Sequence, residues 1–481
     1  MALPKRSLGL ALVERASIIF GPVWGTGGGS RQFRASLLIC AVLAPISLAP
    51  AWGSTFNVRK YGATGNGKTD DASAIQRAEQ AAELAGGGSV YLPSGKYLMN
   101  STVLVGSNIE IYGNGDSTVL MRTNTLSQVP AYGADCSTPH PPLGTHRAIF
   151  WNRHYNCADR NVHLHDFEAD GSAITTVPNS VLLAFSGLVD STVENITVVN
   201  APQDAMFFRN GGENLTVANN RILLHNTLWG NGQGINIEMH VNGQVWGAVN
   251  ITGNEIVTGA TNFCSAALDR PCASDSDCSN LQPATCGKGA STSAGIGITW
   301  VDGTHPPVVH IAKNHIWVGN DHYGIICNGC VDSTINGNVI RPAKLRSIPG
   351  RGTFTGISSH SAARGTVHNL TIDSNTVEGT GEPEDGQAIH VSGLGVGENG
   401  LTIRDNLIVR KNTSNVKAVI QVGGWQNVSV ARNHLCFVPG NDIRLGSFGR
   451  PVANGTQTNN TTVPIEKQAG TPPPECSSLP Q

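Results

Sequence analysis

The chain has 481 residues, 57 of them glycine, with 14% charged residues and a formal net charge of −2. Residues 1–51 hold five basic side chains against one acidic, leaving −6 for the rest. A mildly acidic body excludes a globally basic nucleic-acid binder and gives no attraction to an anionic membrane, so any cations that grip an acidic polymer must be local.

In chain order, Arg31-Gln-Phe-Arg34 precedes an apolar run, residues 35–48, and then Ala49-Pro50-Ala51. Basic, apolar and small-residue parts in that order predict a secretory signal over residues 1–51 with an extended N-region. The run is short for a membrane span, so no stable membrane insertion is expected after cleavage; a retained signal anchor is the alternative. The predicted location is secreted or extracytoplasmic.

Phe56 to Met99 reads strand, Gly-rich turn, helix, turn, strand. Asp70 and Asp71 stand where carboxylates accept from free helix N–H groups. Ala74, Ala78, Ala81, Ala82 and Leu84 supply an apolar side, and Gly86-Gly87-Gly88 ends the helix. A helix from about Asp70 to Leu84 would cover the open end of a strand stack.

A repeat follows. Asn220, Asn254, Asn314, Asn338, Asn375, Asn406 and Asn433 each stand two residues before an aliphatic, 24 to 37 residues apart except for one gap of 60. Short strands at that period, with no helix between them, predict a solenoid of stacked turns. Asn at one corner of successive turns can hydrogen-bond up and down the stack, so these residues read as structural. The fold class is all-β: a single-stranded right-handed parallel β-helix over residues 52–450 with an N-terminal capping helix, followed by a polar, Pro-rich tail, 451–481.

The opening phrase, Tyr61-Gly62-Ala63, Gly65-Asn66-Gly67, Asp70-Asp71, Ala74-Ile75, Gly87-Gly88, Val90-Tyr91-Leu92-Pro93 and Gly95-Lys96-Tyr97, resembles the pectate-lyase superfamily. Within it, the likeness is to the branch of rhamnogalacturonases and mannuronan epimerases. The resemblance is strong over about 45 residues and continues through the repeats alone. It implies a right-handed β-helix with a sugar groove on an outward flank, and caps, not catalysis, for Asp70 and Asp71. No catalytic motif transfers. Asn226-Thr227 is followed by Leu228 where polygalacturonases carry Asp, and their Gly-His-Gly and Arg-Ile-Lys are absent, as is the epimerases' Tyr-Gly-Phe-Asp-Pro-His-Glu.

Ten of the eleven cysteines follow residue 51, an even count that suits an oxidising compartment. Cys264, Cys272, Cys278 and Cys286 crowd a polar insertion, 262–293, and predict two disulfides with pairing open; their spacings fit no common zinc site. Cys327-x-x-Cys330 has the form of a redox or metal half-site without a second half. Cys436 and Cys476 could pair and pin the tail.

Aligned strands, from Gly234, Gly297, Gly324, Gly356, Ala388 and Ala418, put aliphatics inward at alternate positions. Asn236, Glu238, His240, Thr299, Asn328, Ser358, His360, His390, Ser392 and Gln421 then face out along one flank. Glu238, His240, His360 and His390 are the candidate catalytic groups there. Asp204, Asn231, Asp321 and Asp385 recur at the turns entering the strands. They read first as turn formers, with Asp321 and His322 the choice for a catalytic acid and Ca²⁺ the one cofactor left open.

Arg341, Lys344, Arg346 and Arg351 form a basic run suited to the carboxylates of a uronate polymer, with Trp229, Trp246 and Trp425 as further sugar-stacking candidates. The expectation is a secreted polysaccharide-active enzyme, lyase or glycoside hydrolase, on a uronate-containing polysaccharide, with elimination slightly ahead. Elimination would use the basic run as cation with His360 or His390 as base, hydrolysis would pair Glu238 with a turn aspartate such as Asp321, and whether Glu238, His360 and His390 converge in one cleft is the geometric test between the enzyme and non-catalytic readings. The other reading is a non-catalytic surface or matrix β-helix that binds glycan or spans space.

Overall fold

The computed structural model describes residues 53–127, 131–132, 139–140, 148–154, 158–174, 181–223, 232–239, 247–258, 263–264, 267–271, 286–287, 292–300, 308–318, 323–342, 354–360, 367–379, 386–395, 397–410, 418–438, 442–446, 449–464 and 476. The signal region, His240, Asn231, Asp321, His322, Asp385, Lys344, Arg346, Arg351, Trp229 and Trp246 lie outside them.

The fold is a parallel β-helix. Eleven strands form one sheet: β1 (Val103–Val105), β2 (Phe150–Asn152), β3 (Leu183–Val189), β4 (Met206–Glu213), β5 (Gly232–Met239), β6 (Thr292–Trp300), β7 (Tyr323–Cys327), β8 (Thr355–His360), β9 (Ile389–Ser392), β10 (Ile420–Gly423) and β11 (Ile443–Leu445). Each pairs in parallel with the strand of the next turn, so sheet order follows chain order. The other large sheet takes two short strands per turn, such as Leu215–Ala218 and Arg221–Leu223, with the Asn corner between them.

Alternation fixes which side chains meet inside. Ile235, Ile296, Ile325, Ile357, Ile389 and Ile420 stand in one register column, all fully buried. Each contributes on the order of 2 kcal/mol by burial. Beside them runs a column of glycines, where a Cβ on Gly324 would sit 2.4 Å from Ile340 Cγ2. The aliphatic of the facing strip occupies that space.

The seven asparagines form the expected ladder. Each Nδ2 donates to the Oδ1 of the next rung at 2.8–3.0 Å and to a backbone carbonyl. An eighth rung, Asn460, extends it. The strands Ala453–Thr458 and Thr461–Pro464 stack on the preceding turn, past the boundary drawn at residue 450. Among the described residues that turn is the last, its strand Ala453–Thr458 is exposed throughout and carries no apolar pattern, and the sequence there reads as tail.

Other expectations change. The helix α1 runs Ala72–Leu84 and packs on strands of both sheets, including β1. Leu84, expected on its buried side, is 90% exposed, while Glu79 is fully buried. Burial pushes the Glu79 carboxyl up to about 7, against the pull of Arg153. Of the two aspartates, Asp70 accepts from Ala72 N at the helix start, whereas buried Asp71 accepts from Thr64 N and Gly65 N and pins the preceding loop.

Cys327 and Cys330 are joined in a buried disulfide, so they are no metal half-site. Cys436 and Cys476 are joined as well. Cys264 and Cys286 face each other in an antiparallel backbone pair. No helix of the described residues is long and apolar enough to cross a membrane.

Candidate functional site

The outward face of the eleven-stranded sheet carries two rows. The first runs Phe207, Asn236, Gly297, Ile326, Ser358, His390, Gln421, Arg444. The second runs Ser186, Arg209, Glu238, Thr299, and resumes at His360, Ser392 and Gly423. Gly295, not Gly297, is the partner of Gly324. The two-residue slip in the sequence alignment preserves parity, so Thr299 still faces out, but it stands opposite Glu238.

Around Glu238 the groups form an acid node. Asn236 Nδ2 donates to Asp204 Oδ2 at 3.0 Å and reaches Glu238 Oε1 at 3.5 Å. Gln233 N donates to Asp204 Oδ1 at 2.8 Å. Asp204 is 2% exposed. Burial lifts its carboxyl to about 7, offset in part by the bonds from Asn236 and Gln233, with the Glu238 charge adding to the rise.

Arg209 stands opposite Glu238 on β4, so a cation and a carboxylate share one rung. Two buried amide oxygens, Asn236 Oδ1 and Gln233 Oε1, have no donor. Gln233 Oε1 lies over Gly297, 1.4 Å from where a Cβ would be, so a side chain there would make Gln233 move.

The second node is histidine. Ser358 stands opposite His390, and His360 opposite Ser392. His360 shares hydrogen bonds with Ser358 Oγ at 2.9 Å through Nε2 and with Ser392 Oγ at 2.6 Å through Nδ1. Asn328 Oδ1 accepts from its backbone N at 3.2 Å. The His360 and His390 rings meet edge-on, centroids 5.0 Å apart. Burial lowers the pKa of both, that of His390 to about 4 with His360 adding to the effect. Both are neutral near pH 7.

The two nodes do not converge. β5 and β8 are three strand steps apart, about 14 Å at the usual spacing of paired strands. One scissile bond cannot touch Glu238 and His360 together, so the convergence that the sequence left open does not occur. The expectation for Arg341 is corrected. It belongs to Val339–Pro342 in the other sheet, and its Nε lies 3.5 Å from Glu378 Oε2. Glu378 comes from the neighbouring turn, so the local sequence did not reveal it. Trp425 is buried in the core. Among the described residues no group of three or more His, Cys, Asp or Glu is placed to hold a metal ion.

Arg209 and the coupling of Asp204 to Glu238 escaped the sequence reading. The signal was present in Asp204-Ala-Met-Phe-Phe-Arg209, which repeats the inward–outward alternation one turn before the first strand aligned.

The match to known proteins now has a geometry to attach to. The sequence profile of the family described as rhamnogalacturonase A/epimerase, pectate lyase-like, covers residues 55–305. The chain belongs to that family. Alginate lyase 7 of Azotobacter vinelandii is 48% identical over 67 residues, which is 12% of this chain and 8% of that protein. The chain therefore spans a small fraction of the length of the curated relatives it matches. A surface adhesin of Streptococcus pneumoniae, PfbA, superposes with a TM-score of 0.59 at 16% identity, over 86% of this chain and 92% of that one. An exopolygalacturonase from Thermotoga maritima superposes with a TM-score of 0.50 at 12% identity, over 84% and 88%. At these identities the superpositions speak for the shared fold of the family member.

Proposed function

We propose that this family member is an exported polysaccharide-active enzyme that acts on a uronate-containing polysaccharide lying along the outward face of the eleven-stranded sheet. The observation that carries the reading is the Arg209–Glu238 rung with buried Asp204 behind it. The alginate lyase and the mannuronan C5-epimerases of Azotobacter vinelandii among its relatives bear names of that substrate class. The coil is read as right-handed with α1 as its cap, and the two disulfides fit an oxidising compartment outside the cytoplasm.

Elimination fits this rung better than hydrolysis. Hydrolysis needs two carboxyls at the scissile bond, and Asp204, the carboxyl tied to Glu238 through Asn236, is buried. Elimination needs a cation on the uronate carboxylate and a base at the proton α to it. Arg209 supplies the cation and Glu238 the base. Glu238 takes the α-proton, the bond from the neighbouring ring carbon to the glycosidic oxygen breaks, and its electrons leave with that oxygen. The carbanion pair closes the new double bond, and water protonates the leaving oxygen. Asp204 holds Asn236 beside Glu238. The neutral His360–His390 pair, with Ser358 and Ser392, binds sugar further along and takes no part in bond breaking.

A screen on uronate polysaccharides tests the reading, with absorbance for unsaturated products and reducing ends scored separately. Unsaturated product from the wild type that is lost in Glu238→Gln supports it. Reducing ends without unsaturation replace elimination by hydrolysis. Glycan binding without any product leaves the non-catalytic reading.

A further inference from the structure

The outward face of the sheet changes character at one rung. Over β1 to β3, and at Phe207 in the first row of β4, it is apolar and sealed: Leu104, Trp151, Ala184 and Phe207 pack with Ala148 and Val181 in a cluster separate from the core inside the coil. Trp151 is 4% exposed and Phe207 1%. Ser186, in the second row, is fully buried as well. From Arg209 on β4 onward the second row is polar and partly open at Arg209, Glu238, Thr299, His360 and Ser392, while the first row sets buried Asn236, Ser358 and Gln421 beside half-buried Ile326 and His390. At the other end the last strand, β11, presents exposed Arg444 and half-exposed Ile443 and Leu445.

Phe207 stands opposite Asn236, the residue that links Asp204 to Glu238. The apolar cluster therefore abuts the acid node. Packed side chains leave no room for a polymer strand to continue past it, because such clusters are filled to interior density. A chain bound along the rows can run out over Arg444, but at Phe207 it must end.

We propose that this groove is closed at its N-terminal end and that the enzyme works from a chain terminus, releasing short end units instead of cutting internally. This rests on the function proposed above and adds its mode of action. The bond broken lies beside Glu238, close to the closed end, so only the terminal segment fits between the wall and the base. The His360 and His390 rungs then hold the part of the polymer that remains.

The test uses the purified full chain on polygalacturonate, alginate and rhamnogalacturonan, with viscosity followed against product formation and the earliest products sized. The expected result is one short product from the first time point, with viscosity nearly unchanged while that product accumulates. A spread of chain lengths at the first time point, with an early collapse in viscosity, overturns the proposal and leaves the function standing. No product from any polymer overturns the function and this inference with it. A Trp151→Ala, Phe207→Ala double variant that keeps the wild-type circular dichroism should open the wall and shift the products toward mixed lengths. An unchanged short product from that folded variant also overturns the proposal. If the variant does not fold, the wild-type product profile decides alone.

Discussion

His360 meets His390 edge-on across β8 and β9, with ring centroids 5.0 Å apart, and the pair lies about three strand steps or more from Glu238. On the proposed function, a pair so placed binds sugar without touching the reacting bond. His360→Ala and His390→Ala should therefore raise KM by roughly tenfold, the loss of about one hydrogen-bonded contact, with kcat little changed. Steady-state kinetics that show the fall in kcat instead would move the chemistry to the histidines.

Glu238 and Arg209 should behave in the opposite way. Glu238→Gln keeps the shape and removes the base, and should lower kcat by about two orders of magnitude or more. Arg209→Lys keeps the charge but loses the planar two-pronged grip on a carboxylate, and should fall between wild type and Arg209→Ala in kcat/KM.

The Asp204 carboxyl is raised to about 7 from 3.8 in the folded chain. Between those values the folded state binds more protons than the unfolded state. The stability this group contributes is full below 3.8 and is lost as pH rises through about 7. His390, lowered to about 4, has the opposite slope: its contribution is full above about 6.5 and is lost as pH falls toward 4. Melting temperatures of Asp204→Asn against wild type should diverge in favour of the variant as pH is raised from 5 to 8. Parallel curves would mean that Asp204 is already ionised in the fold.

Asn338 sits mid-ladder. It accepts from Asn314 and donates to Asn375 and to Ile311 O. Replacing it with Ala strands donors and acceptors on both neighbours and should cost about 2–4 kcal/mol, from penalties of about 1–3 kcal/mol per buried unpaired group. Denaturant unfolding measures this. The same change at Asn460, the final rung among the described residues, should cost less.

Cys264 and Cys286 oppose each other in an antiparallel pair. Opposed residues there have Cα atoms about 4.5–5.5 Å apart, within disulfide reach. Peptide mapping without reduction should find Cys264 joined to Cys286 and Cys272 to Cys278. Free thiols at these four positions, or another pairing, would refute it.

What the sequence determined by itself was periodic. The Asn-x-aliphatic phrase gave the turn length and the stacking, because each rung repeats the same local contacts and needs no knowledge of its neighbours. Alternation told which side of Gly356-Ile-Ser-Ser-His360 faces out, because a strand's period is two. The tertiary structure alone decided distance and partnership. That Asp204 is tied to Glu238 through Asn236, that Glu378 neutralises Arg341, and that Glu238 and His360 lie three strands apart depend on which turns are neighbours and on their register. Burial, likewise, is a property of the stack. An outward Phe207 reads as exposed in its own strand, yet in the fold it is 1% exposed and clusters with Leu104, Trp151 and Ala184 of other turns.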